Sequence, residues 1–366
     1  MSVVVKAGPG SEEFARLTDP FRPELLAYCY RMLGSVHDAE DQVQETLLRA
    51  WRSFGQFEGR ASLRTWLYRI ATNECLRAIG SRSRRPLPSD LGDPDQDPEG
   101  PLATMRPEVP WLQPIPDALL RPESADPAVV AVSREGIRLA FIAALQYLPA
   151  RQRAVLILRD VLGWRAAEVA RLLGTTTNAA NGLLQRARAQ LREAAPAPDE
   201  MRDPANPRDL DLLNRYAAAF ENADITALTK LLRDDAVLEM PPMLTWFTGR
   251  DHIRRFLQSH VLRRPGDFIL IPAAANGQPA WAEYQRGPDG GHHVHGVQVL
   301  TVAGSRVARI AAFHHPGLFA AFGLPPTLPA APDGSRRGRA CESATCPAPS
   351  PRNPGTTCSP GWTGGS

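Results

Sequence analysis

Two stretches of this chain carry the residue types that grip nucleic acid, and a third gathers the polar groups of a small-molecule pocket. Residues 166–191 (AAEVARLLGTTTNAANGLLQRARAQL) read as helix, turn, helix. Gly174 supplies the turn, and the hydroxyls of Thr175, Thr176 and Thr177 can accept from the free backbone amides that open the second helix. Val169, Leu173, Ala180 and Leu183 fall on the shared apolar seam, with small Ala170 where the helices touch. Thr176, Asn178, Ala179, Asn181 and Gly182 then stand at the exposed start of the second helix, where a recognition helix meets base edges. Arg186 and Arg188 follow and suit phosphate.

The second stretch, residues 59–85, interleaves aromatics with arginines. Seven arginines face Glu74 alone between Arg60 and Arg85, a local charge of +6 over 26 residues. Trp66 and Tyr68 offer flat faces, Arg60, Arg64, Arg69 and Arg77 neutralise phosphate, and Asn73 is the candidate for a polar base contact. Stacking surfaces beside cations are the ingredients of single-strand capture, at roughly 1–3 kcal/mol per stacked base. Further on, Glu239, Trp246, His293, His295 and His314 lie on strand-like runs and form a candidate ligand pocket. The run His292-His293-Val294-His295 has no carboxylate partner in the pattern, so neither metal nor cofactor is expected, and no catalytic residue is assigned.

A different chemistry is written into residues 38–52 (DAEDQVQETLLRAWR). Its acids crowd the helix start and its arginines the end, as the helix dipole favours. Val43, Leu47, Ala50 and Trp51 are the expected buried stripe, which leaves Asp38, Asp41, Gln44 and Glu45 as an acidic face for a basic partner.

These groups need elements to hold them. The chain has 366 residues, 43% of them hydrophobic, enough for two or three cores, and its net charge is only +3. The expected organisation is a tail (1–13), a helical block (14–85), a linker rich in proline and acids (86–130), a second helical block ending in the helix-turn-helix (131–196), a short linker (197–205), an α+β block (206–325) and a disordered tail (326–366). Within the first linker, VPWLQPIP is too apolar for a pure spacer. Strands are expected at 236–240, 268–272, 280–285, 293–302 and 306–314, after an amphipathic helix at 209–221. Cys29 and Cys75 read as small buried hydrophobes, and Cys341, Cys346 and Cys358 form no zinc or disulfide pattern. No apolar run reaches membrane-spanning length and the first ten residues make no signal peptide, so a cytoplasmic protein is expected.

On these residues the chain resembles the extracytoplasmic-function group of the sigma-70 family, the specificity subunits of bacterial RNA polymerase. DAEDQVQET is similar to regions 2.1 to 2.2, GRASLRTWLYRIATNECLRAI to regions 2.3 and 2.4, and LPARQRAVLILRDVLGWRAAEVARLLG with its following helix to region 4. The long linker and the extra block after it resemble the mycobacterial sigma G-like subgroup, which carries a SnoaL-like domain. LLNRYAAAFENADITALTKLLRDDAVLEMPP opens that block and RIAAFHHPGLFAAFGLP closes it, with His314-His315-Pro316 where the family's closing segment usually carries an aspartate.

The resemblance implies a multidomain fold: two all-α sigma domains, a region 2 helical bundle and a region 4 helix-turn-helix, plus an α+β NTF2/SnoaL-like cone. It implies binding to core RNA polymerase, through the largest-subunit clamp helices (Asp38, Asp41, Gln44, Glu45) and the flap region, and to promoter DNA at the −10 and −35 elements. Leu67 stands where housekeeping sigma factors carry a second tryptophan, which implies weaker melting. The expected activity is promoter-directed initiation modulated by the cone, with a small ligand and an anti-sigma protein left open. Two alternatives stay open: a one-component duplex-binding regulator, which gives the acidic helix no role, and a bifunctional protein whose cone catalyses a reaction.

Overall fold

A computed structural model describes residues 11–59, 61–80, 84–120, 136–194 and 207–328. The first helical block is built on α1 (Ser11–Thr18), α2 (Arg22–Leu33), α3 (Val36–Ser53) and α4 (Leu63–Gly80). Ser35 caps α3, its hydroxyl accepting from the Asp38 amide at 3.2 Å. Helices α2, α3 and α4 close around Tyr28, Met32, Val43 and Leu67, with Cys29 and Cys75 buried between them. Each fully buried side chain of this kind contributes about 1.5–3 kcal/mol. The α3 stripe departs from expectation at Trp51, which is 49% exposed, because α2 and α4 cover only the Val43, Leu47 and Ala50 side of the helix.

The second helical block comprises α5 (Leu139–Gln146), α6 (Ala150–Leu156), α7 (Ala166–Leu172) and α8 (Thr177–Ala194). Gly174 takes φ +60° in the turn and the Thr176 hydroxyl accepts from the Ala179 amide at 3.1 Å. The seam buries Val169, Ala170, Leu173 and Ala180 as expected, while Leu184 and Ala187, rather than Leu183, complete it. After α6 a wider π turn, Ile157–Val161, delivers Trp164 toward α4.

The third block opens with α9 (Pro207–Glu221) and α10 (Ile225–Leu231). Strands β1 (Leu232–Glu239) and β2 (Trp246–Thr248), helix α11 (Arg250–Phe256), and strands β3 (Phe268–Ala275), β4 (Gln278–Arg286), β5 (His292–Ala303) and β6 (Arg306–Phe313) follow. Helix α12 (Leu318–Ala321) and β7 (Thr327–Leu328) end the described chain. The sheet runs β2-β1-β6-β5-β4-β3, antiparallel except for β1 beside β6, and β7 pairs with β5. Register shifts between Glu283 and Tyr284 and between Thr301 and Val302 let the sheet curl into a cone. The order extends past Pro325, since His292 pairs with Leu328.

The sheet is buried on both faces. Phe268, Leu270, Leu300, Ile310 and Ala312 point into the cone against α9 and α11. Ala280, Ala282, Tyr284, Val297, Val299 and Ala311 point outward into one apolar cluster shared with both helical blocks. The linker is no free spacer: Leu112 and Ile115 are fully buried and Trp111 nearly so. Gly34, at φ +69°, ends α2 so close to the linker that a Cβ there would stand 2.9 Å from Leu112. Arg153, 4% exposed, donates to the carbonyls of Met32, Gln146 and Leu148 and so ties the helical blocks together. Burial pulls its pKa down to about 10.

Candidate nucleic-acid interface and cone cavity

Helix α8 presents Asn178, Ala179 and Asn181 to solvent along its first turns, with Gly182 half-buried among them. Thr176 is exposed but spends its hydroxyl on the cap. Arg186 is exposed farther along, whereas Arg188 forms a two-point pair with Asp160 of the π turn at 2.7 and 2.8 Å. Thr176, Asn178, Ala179, Asn181 and Gly182 thus cluster at one largely exposed helix start.

The α4 segment is divided. Arg69, Asn73 and Arg77 are exposed, Arg77 beside Glu74 at 3.0 Å. Trp66 is half-buried, its ring packed on Phe57 and Phe54 at centroid distances of 5.0 and 6.1 Å. Tyr68 is fully buried, 5.2 Å from the Tyr28 ring and 5.1 Å from Trp164 of the other helical block. Arg64 makes a bidentate pair with Glu24 at 2.8–2.9 Å and stands over the Tyr68 and Trp164 rings. Arg60 lies outside the described residues. On α3, Asp41 and Gln44 are exposed and Glu45 holds Arg49 at 2.6 Å. Asp38 is the exception: its carboxylate pairs with Arg85, both side chains 12–13% exposed, which places it inside the block rather than on its acidic face.

The cone encloses a cavity of about 420 Å³. His295 and His314 line it; Glu239, Trp246 and His293, expected there too, do not. Glu239 is fully buried and paired with Arg309 while accepting from the Ser89 amide, Trp246 donates to the Gly92 carbonyl, and His293 faces out to Asp289. Tyr216, His260, Glu283, Gln285 and Gln298 also reach the cavity, none of them among the expected residues. Their signal in the sequence was alternation: Glu283 stands two residues from Trp281 on a strand whose odd positions face inward.

Burial lowers the pKa of both His295 and His314, whose rings lie 4.7 Å apart, and Glu283 opposes that lowering at His314. Burial raises Glu283 itself. A lowered imidazole contributes stability that is present above 6.5 and lost as pH falls toward its folded value, whereas a raised carboxyl contributes stability lost as pH rises. The two trends oppose each other below neutrality. Acidification from about pH 7.5 to about 5.5 is therefore expected to lower the melting temperature more steeply in Glu283→Gln than in the unaltered chain. Parallel melting series would show it; equal slopes would remove the coupling.

Comparison with known proteins decides the family. Residues 17–85 match the model for sigma-70 region 2, residues 138–191 that for sigma-70 region 4, and residues 213–310 that for a SnoaL-like domain. The chain is 52% identical over 318 residues to the ECF RNA polymerase sigma factor SigG of Mycobacterium tuberculosis (strain ATCC 25618 / H37Rv), covering 86% of this chain and 85% of that protein. The chain belongs to the extracytoplasmic-function sigma factors. These are specificity subunits that bind core RNA polymerase and promoter DNA and direct transcription initiation. SigJ of the same organism is 29% identical over 68% of this chain and 74% of its own length. A crystal structure of SigJ superposes over 86% of this chain and all of its own with a TM-score of 0.56 at 24% identity, a likeness of fold.

In sigma-factor terms, α2 to α4 form region 2, α5 to α8 form region 4, and the SnoaL-like cone packs on both. One side chain joins all three with the linker. Asn276, fully buried at φ +58° in the β3–β4 turn, accepts from the Ile115 amide at 3.0 Å and donates to the Tyr30 hydroxyl at 2.8 Å and the Ile137 carbonyl at 2.7 Å. Gln278 accepts from the Leu139 amide, and Asp117 from the Gly277 amide, each at 2.8 Å. No helix among the described residues is long and apolar enough to cross a membrane.

Proposed function

We propose that this sigma factor is held by its own cone in a closed arrangement, and that initiation requires the arrangement to open. The observation that carries this reading is Tyr68: the aromatic assigned to the −10 strand is wholly buried against Trp164 of region 4. Arg64, assigned to the same strand, is engaged with Glu24. A base cannot stack on a ring that another domain already covers. In the open form Trp66, Tyr68, Asn73, Arg60, Arg64, Arg69 and Arg77 contact the −10 strand. Thr176, Asn178, Ala179, Asn181, Gly182, Arg186 and Arg188 contact the −35 duplex. Asp41, Gln44 and Glu45 meet the clamp helices of the largest polymerase subunit, and region 4 meets the flap. The protein acts in the cytoplasm by binding rather than by turnover, and the cone contributes restraint.

In vitro transcription with core polymerase compares the full chain with a version ending at Ala194. The shortened version is expected to give at least about tenfold more promoter-specific transcript, since about 1.4 kcal/mol of restraint already shifts the closed population tenfold. Lower output from the shortened version would make the cone an activator and overturn the reading.

A further inference from the structure

The linker that carries the path from region 2 to region 4 also forms part of the wall of the cone cavity. Leu102 and Met105 line that cavity while remaining 40% and 52% exposed on their outer sides. Light contacts hold them there. Met105 bridges Met243, the Ala103 amide donates to the Thr245 hydroxyl at 3.1 Å and the Arg106 amide to the Pro242 carbonyl at 2.9 Å. An exposed ion pair joins Glu99 to Arg255. A few residues later the same segment enters the core shared with region 2, where the Ser35 hydroxyl donates to Gln113 and the Tyr30 hydroxyl to the Gln113 carbonyl.

The interior has a defined chemistry. Phe220, Leu238, Met240, Phe256 and Phe268 make it mainly apolar. At one end the Tyr216 hydroxyl donates to Gln298 Oε1 at 2.8 Å, and Gln298 Nε2 donates to Glu283 Oε2 at 2.9 Å. This relay turns the Gln298 amide toward the carboxyl, occupies one Glu283 oxygen and leaves Oε1 as its second polar atom. The Glu283 side chain is 2% exposed, and burial favours its neutral, proton-donating form. His295 and His314 beside it are likewise favoured neutral. A volume of about 420 Å³ lies in the range of drug-sized sites, roughly 300–1,000 Å³. Apolar walls converging on a few oriented polar groups select a guest that is neutral, mostly apolar and polar at one end.

We propose that the cavity is a regulatory site for a neutral, mostly apolar molecule bearing a carbonyl or hydroxyl at one end, with Leu102 and Met105 as its lid, and that occupancy fastens the linker. The reasoning rests on the cone being a restraint, as proposed above, and it sets the sign of the ligand's effect. A guest touches Leu102 and Met105 only while the linker is seated, so it binds the seated state more tightly and shifts the population toward it. The ligand is therefore a co-repressor. By reciprocity, a seated linker raises the affinity for the guest.

The test uses the full chain and prodan, a neutral naphthyl ketone whose emission moves to the blue in apolar surroundings. The expected result is saturable one-site binding with a blue shift, abolished by Ala312→Phe, which fills the cavity from β6. The double variant Leu102→Ala with Met105→Ala should raise the dissociation constant about tenfold. Because both side chains are already 40% and 52% exposed, this variant keeps its fold even where Ala312→Phe does not. Saturating prodan should also slow amide hydrogen exchange at Ala103 and Arg106. Absence of saturable binding would overturn the site. Binding indifferent to the two linker substitutions, with unchanged exchange at Ala103 and Arg106, would overturn the lid. Neither measurement contains polymerase or DNA, so failure here is distinguishable from failure of the restraint, which the transcription comparison reads independently.

Discussion

Asn276→Ala is expected to loosen the cone from both sigma domains at once and to raise transcription by at least about tenfold. The substitution removes three side-chain hydrogen bonds and strands the Ile115 amide and the Ile137 carbonyl in a buried setting, while the Tyr30 hydroxyl keeps its bond to the Gln113 carbonyl. At about 1–3 kcal/mol for each of these two unsatisfied buried groups, the junction loses roughly 2–6 kcal/mol. Alanine at φ +58° adds about 1–2 kcal/mol of backbone strain, which Asn276→Gly avoids while losing the same bonds. The glycine variant thus isolates the hydrogen-bond contribution. Limited proteolysis should cut both variants faster between residues 84 and 120, alongside the gain in transcript. Resistance equal to the unaltered chain, with unchanged transcription, would show that the outward face of the sheet holds the closed form without Asn276.

The second large effect concerns Asp38, whose expected place on the polymerase-facing surface the structure corrects. Its carboxylate lies against Arg85 with both side chains 12–13% exposed, and Arg85 also donates to the Trp111 carbonyl at 2.8 Å. Removing one partner of a largely buried pair leaves the other charge uncompensated, at a cost of about 3 kcal/mol here, the low end of the usual range because some solvent remains. Asp38→Ala should lower the melting temperature by several degrees, with Asp38→Asn intermediate because the amide keeps one hydrogen bond. Exposed Asp41→Ala should leave stability within about 0.5 kcal/mol and weaken polymerase capture. Thermal melts beside a core-polymerase binding assay separate the two. An Asp38→Ala variant of normal stability and poor polymerase binding would return this residue to the interface.

The contrast between Asp38 and Asp41 shows where the sequence stops being informative. Both sit at the start of one helix and both satisfy its dipole, so nothing local distinguishes them; a cation 47 positions away in sequence does. Trp51 shows the same limit, since helical spacing allows four residues on a stripe but neighbouring helices covered three. In the cone, alternation is readable along each strand, yet it points Glu239, Trp246 and His293 at a pocket they do not enter. A one-residue change of phase exchanges the two faces of a strand, and here both faces are buried, so hydrophobicity could not say which was inside. The pattern hides Glu283 and Gln298 for the same reason, their neighbours on β4 and β5 being buried on either side.

What the sequence determined by itself were the properties that travel with local spacing. The helix-turn-helix with a threonine cap among Thr175, Thr176 and Thr177, the dipole-matched acidic helix and the strand runs from Phe268 to Phe313 are set within a few residues, where backbone geometry and periodicity decide, and the three family motifs stand in their order along the chain. Only the tertiary structure decided that Tyr68 lies under Trp164, that Asn276 joins the linker to both helical domains, and that Leu102 and Met105 line a cavity more than a hundred residues away from its Tyr216 wall. Those pairings bring together groups far apart in the chain, and their free energy comes from burial and hydrogen bonds that exist only after the domains have met.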